Sequence, residues 1–302
     1  MKEAMQRRDI AFDADGTTLR GWFYPAADAA GPAPTIVMAH GFSAVKEQYL
    51  DGFAEMFAAA GLNALVYDHR NLGASDGEPR QEMDPWAQVR DYRSAITCAA
   101  TLPETDRERI GIWGTSYSGG HVLVVAAIDR RVKCVVAQVP HISGAESGRR
   151  RVRPDQLPAL LARFDADREA RFRGEPPGMF PVVAADLAAP CALPGADCWE
   201  FFDGSTDRAP SWRNAVTLRT LEMAREYEPG IYVPRISPTP LLLIVAPHDR
   251  LTPPDLMLEA YERALQPKKL VLLPGGHFDP YIAGLARAGG AARDWFTEHL
   301  RP

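Results

Sequence analysis

No stretch of the chain approaches the roughly 20 apolar residues needed to cross a bilayer. Apolar runs such as Leu241–Ala246 stop after a few residues. The first nine residues, Met1 to Asp9, hold no apolar segment of the kind a secretory signal needs. Cysteine is scarce: Cys98, Cys134, Cys191 and Cys198 form no C-x-x-C pattern. They read as reduced thiols of a cytoplasmic protein, with Cys191 and Cys198 able to pair only under oxidation. Histidine pairs at helical spacing, Cys–His clusters and acidic calcium loops are all missing, so no metal is expected. Neither a G-x-G-x-x-G nor a phosphate-binding loop occurs, and no cofactor is expected. Positive charge is not in excess, since 34 Lys and Arg face 39 Asp and Glu for a net charge of −5. That balance argues against nucleic-acid binding. The expected partner is a small molecule, with no membrane and no nucleic acid; pairing as a homodimer stays open.

What is present is an ordinary globular composition, 46% hydrophobic and 24% charged over 302 residues, ample for a large core. Two alternating segments, Asp9–Ala14 and Thr17–Tyr24, flank the turn pair Asp15-Gly16 and predict an antiparallel hairpin. Continuous apolar strands then alternate with amphipathic helices: strands at Thr35–Ala39, Ala64–Tyr67, Ile110–Trp113 and Cys134–Gln138, helices at Lys46–Ala60, Pro85–Ala100 and Ser116–Ile128. Strands apolar along their whole length, separated by helices, predict a parallel sheet covered on both faces. The alternation breaks near Gly144 and resumes at Thr239–Ala246. A helix near Pro254–Leu265, a strand at Lys269–Leu273 and a helix near Ala283–Leu300 complete it. The expected organisation is one α/β core, residues 1–143 and 238–302, carrying a mainly helical insertion at 144–237. Helices are expected there around Asp155–Arg173 and Ser211–Glu226.

The most informative stretch runs from Arg109 to His121. A short strand ends in Gly114-Thr115-Ser116-Tyr117-Ser118-Gly119, and an apolar helix follows at once. This is the outline of a nucleophile elbow, a sharp strand–turn–helix that exposes a serine hydroxyl. Small neighbours suit its strained backbone, and the helix N-terminus favours negative charge there. The usual last glycine of G-x-S-x-G is Ser118 here, with Gly119 one place later. A serine needs a base oriented by a carboxylate, and in an open parallel sheet these stand after strand C-termini. His277, in Leu273-Pro-Gly-Gly-His-Phe-Asp279, follows the last strand. Asp249, in Ala246-Pro-His-Asp-Arg-Leu-Thr-Pro253, follows the strand before it. The chain order Ser116, Asp249, His277 is the order this arrangement requires.

These residues resemble the α/β-hydrolase superfamily over nearly the whole chain. Gly114–Gly119 looks like the X-Pro dipeptidyl peptidase and cocaine-esterase branch. Gly275–Asp279 and Trp212-Arg-Asn214 look more like bacterial esterases and fungal polyketide transferases near dienelactone hydrolase. The resemblance implies an α/β-hydrolase fold with a mostly parallel eight-stranded sheet, a lid formed by the insertion at 144–237, and Ser116, Asp249 and His277 as a catalytic triad. It departs from the peptidase branch at His40-Gly-Phe-Ser43, where Phe42 stands in place of a tyrosine hydroxyl. The oxyanion hole is therefore expected from the backbone N–H groups of Phe42 and Tyr117.

The remaining histidines have plainer readings. His40 is expected to bond nearby backbone, His69 to belong to a structural loop with Asp68 and Arg70 as an ion pair, and His121 to be packed. His141 opens the insertion and is a candidate for substrate contact. The insertion is rich in aromatics, and Trp199, Phe202 and Trp212 are candidates to line a pocket for an apolar acyl substrate. The run Arg149 to Arg153 is read as a solvated face rather than an anion site. The activity expected is hydrolysis of a carboxylic ester, lactone or thioester. Acyl transfer and C–C bond hydrolysis would use the same residues, and a non-catalytic receptor on this fold is the rival from another class.

Overall fold

The structure, a computed structural model, describes residues 7–301. The segment read for a targeting signal begins in residues 1–6, outside the described residues. The chain starts with the predicted hairpin, β1 (Arg8–Ala14) and β2 (Thr17–Tyr24), paired in antiparallel register through Ala14 and Thr17. Strand β3 (Ala33–Ala39), helix α1 (Leu50–Ala59), β4 (Asn63–Tyr67), α2 (Pro85–Thr101), β5 (Thr105–Thr115), α3 (Tyr117–Ile128) and β6 (Val132–Gln138) follow.

Residues 144–237 contribute nothing to the main sheet. They form α4 (Gly144–Arg151), α5 (Leu157–Phe172), α6 (Ala196–Asp203) and α7 (Leu218–Glu226), with a ribbon of β7 (Met179–Phe180) and β8 (Val216–Thr217). The sheet resumes with β9 (Leu241–Val245), α8 (Pro254–Arg263), β10 (Lys268–Leu272) and α9 (Leu285–Leu300). Its eight strands run β1-β2-β4-β3-β5-β6-β9-β10, antiparallel across β1, β2 and β4 and parallel thereafter.

Strands buried on both faces explain the unbroken apolar runs. Alternate residues of β3 divide between two cores: Val37 and Ala39 face α2 and α3, while Ile36 and Met38 face α1 and α9. Helix α2 starts where Asp84 caps the N–H groups of Trp86 and Ala87, with Pro85 in the first turn. Helix α3 is buried from Tyr117 to Ala127 and forms the centre of the larger core.

Two helix boundaries differ from expectation. Helix α1 begins at Leu50 rather than Lys46, because Lys46 is held by Asp68 through its N–H and its ammonium, each at 2.7 Å. Helix α7 begins at Leu218 rather than Ser211. The Asn214 amide instead binds the N–H groups of Val182 and Val183, and Val216–Thr217 pairs with β7. The expected Asp68–Arg70 pair is also replaced: Arg70 grips Asp91, and Asp68 takes Lys46. All four cysteines are free thiols. Among the described residues no helix is long and apolar enough to cross a membrane.

Candidate active site

The chain leaves β3 for β4 on one side and β5 lies on the other, so strand order reverses between β3 and β5. Loops after parallel strands diverge at such a point and leave a crevice at their carboxyl ends. Ser116 sits in that crevice, between β5 and α3, with φ 55° and ψ −117°. This region is costly for any residue but glycine and persists only when its surroundings impose it. Three backbone bonds do so: Ser116 N–H donates to the Gln138 carbonyl at 2.9 Å, and its carbonyl accepts from His141 at 2.8 Å and Gly120 at 3.2 Å. The turn also demands close approach. A Cβ on Gly114 would lie 2.2 Å from the Ser118 carbonyl oxygen.

Ser118, at the position usually held by glycine, is fully buried and bound on two sides. Its hydroxyl donates to the His40 carbonyl oxygen and lies 2.7 Å from His69 Nε2. The side chain thus ties the elbow to the loops after β3 and β4.

The structure brings Ser116, His277 and Asp249 together from three loops. His277 Nε2 lies 3.0 Å from Ser116 Oγ, and His277 Nδ1 lies 2.6 Å from Asp249 Oδ2. Asp249 is nearly buried, with Oδ1 accepting N–H bonds from Leu251 (2.8 Å) and Thr252 (2.9 Å). The Thr252 hydroxyl adds a bond to Oδ2 at 2.7 Å. Burial alone would raise the Asp249 pKa. The His277 ring and the Thr252 donors together outweigh it and hold the carboxyl below its ordinary range. Thr252 was not foreseen, although Asp-x-x-Thr before a helix is the spacing of a side-chain turn motif.

Phe42 and Tyr117 flank the serine and line the same cavity, their rings edge to face at 5.6 Å. Among the described residues, neither N–H has a protein acceptor. Two unpaired donors beside a serine hydroxyl and an imidazole are an arrangement able to stabilise an oxyanion formed there.

Below the elbow lie four buried histidines, His40, His69, His121 and His141. His40 accepts the His69 N–H at 3.1 Å and places its other nitrogen 2.9 Å from the Gly41 carbonyl oxygen. His121 bridges Tyr227 and Gln88. Burial drives all four below the ordinary histidine pKa, His141 to about 3. They are neutral rings that join the helix α3 face to its neighbours.

A cavity of about 530 Å³ opens onto Ser116 and His277 beneath the insertion. Of the four candidate pocket residues, His141 and Phe202 line it. Trp212 stacks behind Phe202 at 5.1 Å, and Trp199 lies off the helix α6 face formed by Cys198, Phe201 and Phe202. Neither tryptophan reaches the cavity wall. Phe201, another of the insertion's aromatics, lines it as well, stacked at 4.2 Å on Phe278, which was not foreseen.

Residues 34–282 match the alpha/beta hydrolase fold family, and that span includes Ser116, Asp249 and His277. The chain belongs to the alpha/beta hydrolase fold family. Within it, this hydrolase-fold chain is 35% identical to a thiohydrolase of Eupenicillium brefeldianum, over 92% of the chain and 89% of that protein. It is 31% identical to the polyketide transferase grgF of a Penicillium species, over 98% of each. The solved structure of DcsB in complex with its substrate analogue superposes with a TM-score of 0.87 at 28% identity. That match covers 98% of this chain and 100% of that one.

Proposed function

We propose that the protein is a serine hydrolase that opens a carboxylic ester, lactone or thioester through an acyl-enzyme on Ser116, with thioesters the leading class. The observation that carries the reading is the His277 ring, 3.0 Å from the serine oxygen on one nitrogen and 2.6 Å from the Asp249 carboxylate on the other. With Nδ1–H donated to Asp249, Nε2 presents its lone pair to the Ser116 hydroxyl. As Ser116 attacks the carbonyl carbon, His277 takes the hydroxyl proton, and Asp249 stabilises the imidazolium. The N–H groups of Phe42 and Tyr117 receive the carbonyl oxygen as it becomes an oxyanion. His277 returns the proton to the leaving thiol or alcohol, then activates a water that releases the acid. The insertion serves as a lid that walls the acyl pocket. The preference for thioesters draws on the relative named thiohydrolase.

A second reading keeps the acyl-enzyme and passes the acyl group to an alcohol or amine. It draws on the likeness to a polyketide transferase across 98% of both chains. Two assays test the proposal. A fluorophosphonate should add to Ser116, seen by peptide mass spectrometry, and Ser116→Ala should abolish hydrolysis of a short thioester. An unlabelled Ser116 or undiminished turnover in Ser116→Ala would overturn it. Product analysis with and without alcohol acceptors separates hydrolysis from transfer.

A further inference from the structure

On each of three helices of the insertion, α4, α5 and α7, arginines divide into two groups. On α4, Arg149 pairs with Glu146 at 2.8 Å and Arg150 with Asp255 at 2.7 Å, whereas Arg151 forms no ion pair among the described residues. On α5, Arg171 pairs with Asp167 at 2.8 Å, whereas Arg163 has only the ring of Phe180, at 5.1 Å. On α7, Arg219 pairs with Glu82 at 3.2 Å, whereas Arg225 has no such partner among the described residues. The three arginines without a carboxylate are the three that line the cavity, and no aspartate or glutamate lines it. In a chain of net charge −5, the arginines that line this cavity face it with no carboxylate of the lining to offset them.

Arg151 and Arg225 are close enough to repel, and each is placed by its surroundings. One guanidinium nitrogen of Arg151 donates to the Leu251 carbonyl at 3.1 Å, which leaves its other N–H groups without a protein acceptor. Arg151 keeps accessible surface where it lines the cavity, yet the protein packed around it lowers its pKa by desolvation. Arg225 crosses α4 at Gly148, where a Cβ would lie 2.6 Å from its Nη1, so a larger residue there would push the guanidinium away. The Ser147 hydroxyl, one turn before Arg151 on α4 and 5% exposed, lines the same cavity with no hydrogen-bond partner among the described residues. Buried donors left unpaired cost stability. Guanidinium forks with a hydroxyl beside them fit a carboxylate or phosphate.

We propose that Arg151, Arg225 and Ser147 form an anion subsite in the acyl cavity, so that the preferred substrate carries a carboxylate or phosphate group as well as the scissile carbonyl. Arg163 adds positive charge at the side of Phe180. The inference rests on the hydrolase reading for its kinetic test and on binding alone for a second one. It also refines the reading of Arg149–Arg153 as a solvated face: all four arginines are exposed, Arg149, Arg150 and Arg153 pair with nearby carboxylates, and Arg151 alone also lines the cavity.

Two substrate comparisons distinguish the sources of the anion. One sets N-acetylcysteamine thioesters of monocarboxylic acids against those of ω-carboxy acids of equal length. The other sets the same neutral acyl group on N-acetylcysteamine against coenzyme A, whose thiol carries phosphates. The wild type should favour the anionic member of one pair at least tenfold in kcat/KM. Arg151→Gln and Arg225→Gln should each cut that ratio at least tenfold, mainly through KM, while Arg150→Gln keeps it. The pair that shows the effect locates the charge in the acyl chain or in the leaving group. Equal rates within both pairs would overturn the subsite, as would an Arg151→Gln that slows anionic and neutral members alike. Calorimetry on Ser116→Ala with a dicarboxylic acid and with a phosphopantetheine thiol reads binding without turnover. Arginine-dependent binding there supports the subsite even if the hydrolase reading fails, and no binding of either overturns it.

Discussion

Gly41 lies so close to Ser116 that a Cβ on the glycine would stand 2.8 Å from the serine Cβ and 3.3 Å from its Oγ. The loop that carries the Phe42 N–H is therefore pressed directly onto Ser116. Gly41→Ala should displace one or the other and lower kcat by about 10²-fold or more, the size of a lost oxyanion donor. Phe42→Ala keeps the N–H and should cost less in kcat than Gly41→Ala, with a larger change in acyl preference. Steady-state kinetics on a graded ester series checks both. A Gly41→Ala enzyme of wild-type kcat would show that the contact is not needed.

Ser116→Ala should lower kcat by about 10⁴–10⁶-fold, with a thermal midpoint close to that of the parent. The hydroxyl makes few contacts beyond His277, and the backbone bonds that hold the turn remain. Circular dichroism beside single-turnover kinetics separates lost chemistry from lost fold.

Thr252→Val should act through Asp249. Removing the hydroxyl deletes a donor to the charged carboxylate, so the carboxyl pKa rises and the carboxylate that orients His277 is held less firmly. Catalysis should fall about tenfold, with the acidic limb of the kcat/KM profile moved to higher pH. A parallel drop at all pH values would assign Thr252 to packing alone.

Acid should destabilise the fold well above the carboxylate range. The buried histidines hold fewer protons folded than unfolded once pH falls below about 6.5. Their contribution is complete above that pH and is lost as pH falls toward the depressed folded values, about 3 for His141. At pH 5, each histidine kept neutral by the fold should cost up to about 2 kcal/mol. Urea midpoints at pH 7.5, 6 and 5 check this; a flat series would contradict it.

The sheet was legible because its strands are buried on both faces, which leaves a local signature of continuous apolar residues. Ser116 and Asp249 could be located because each follows such a strand; His277 follows β10, a half-exposed edge strand, and was located by its place after the last strand in the Gly275-Gly276 loop. Lys46 was misread as helical because only the fold brings Asp68, 22 residues away, beside it. The insertion was harder still. Helices α4 and α6 have eight residues each, too short for a clear period. Trp212 and Phe202 are equally apolar in sequence, yet one lines the cavity and the other backs it. Arg151 differs from Arg150 only by a rotation of 100° about the helix axis.

The amide of His141 that bonds the Ser116 carbonyl belongs to the last residues before the insertion departs. The root of the insertion is thus fastened to the strained turn itself. The bond is made by main-chain atoms on both sides, so substitutions within residues 144–237 leave both of its partners in place. The insertion can thus reshape its share of the cavity wall without touching the bonds of the turn, while the remainder of the wall, Phe42, Tyr117 and Phe278 among it, belongs to the core.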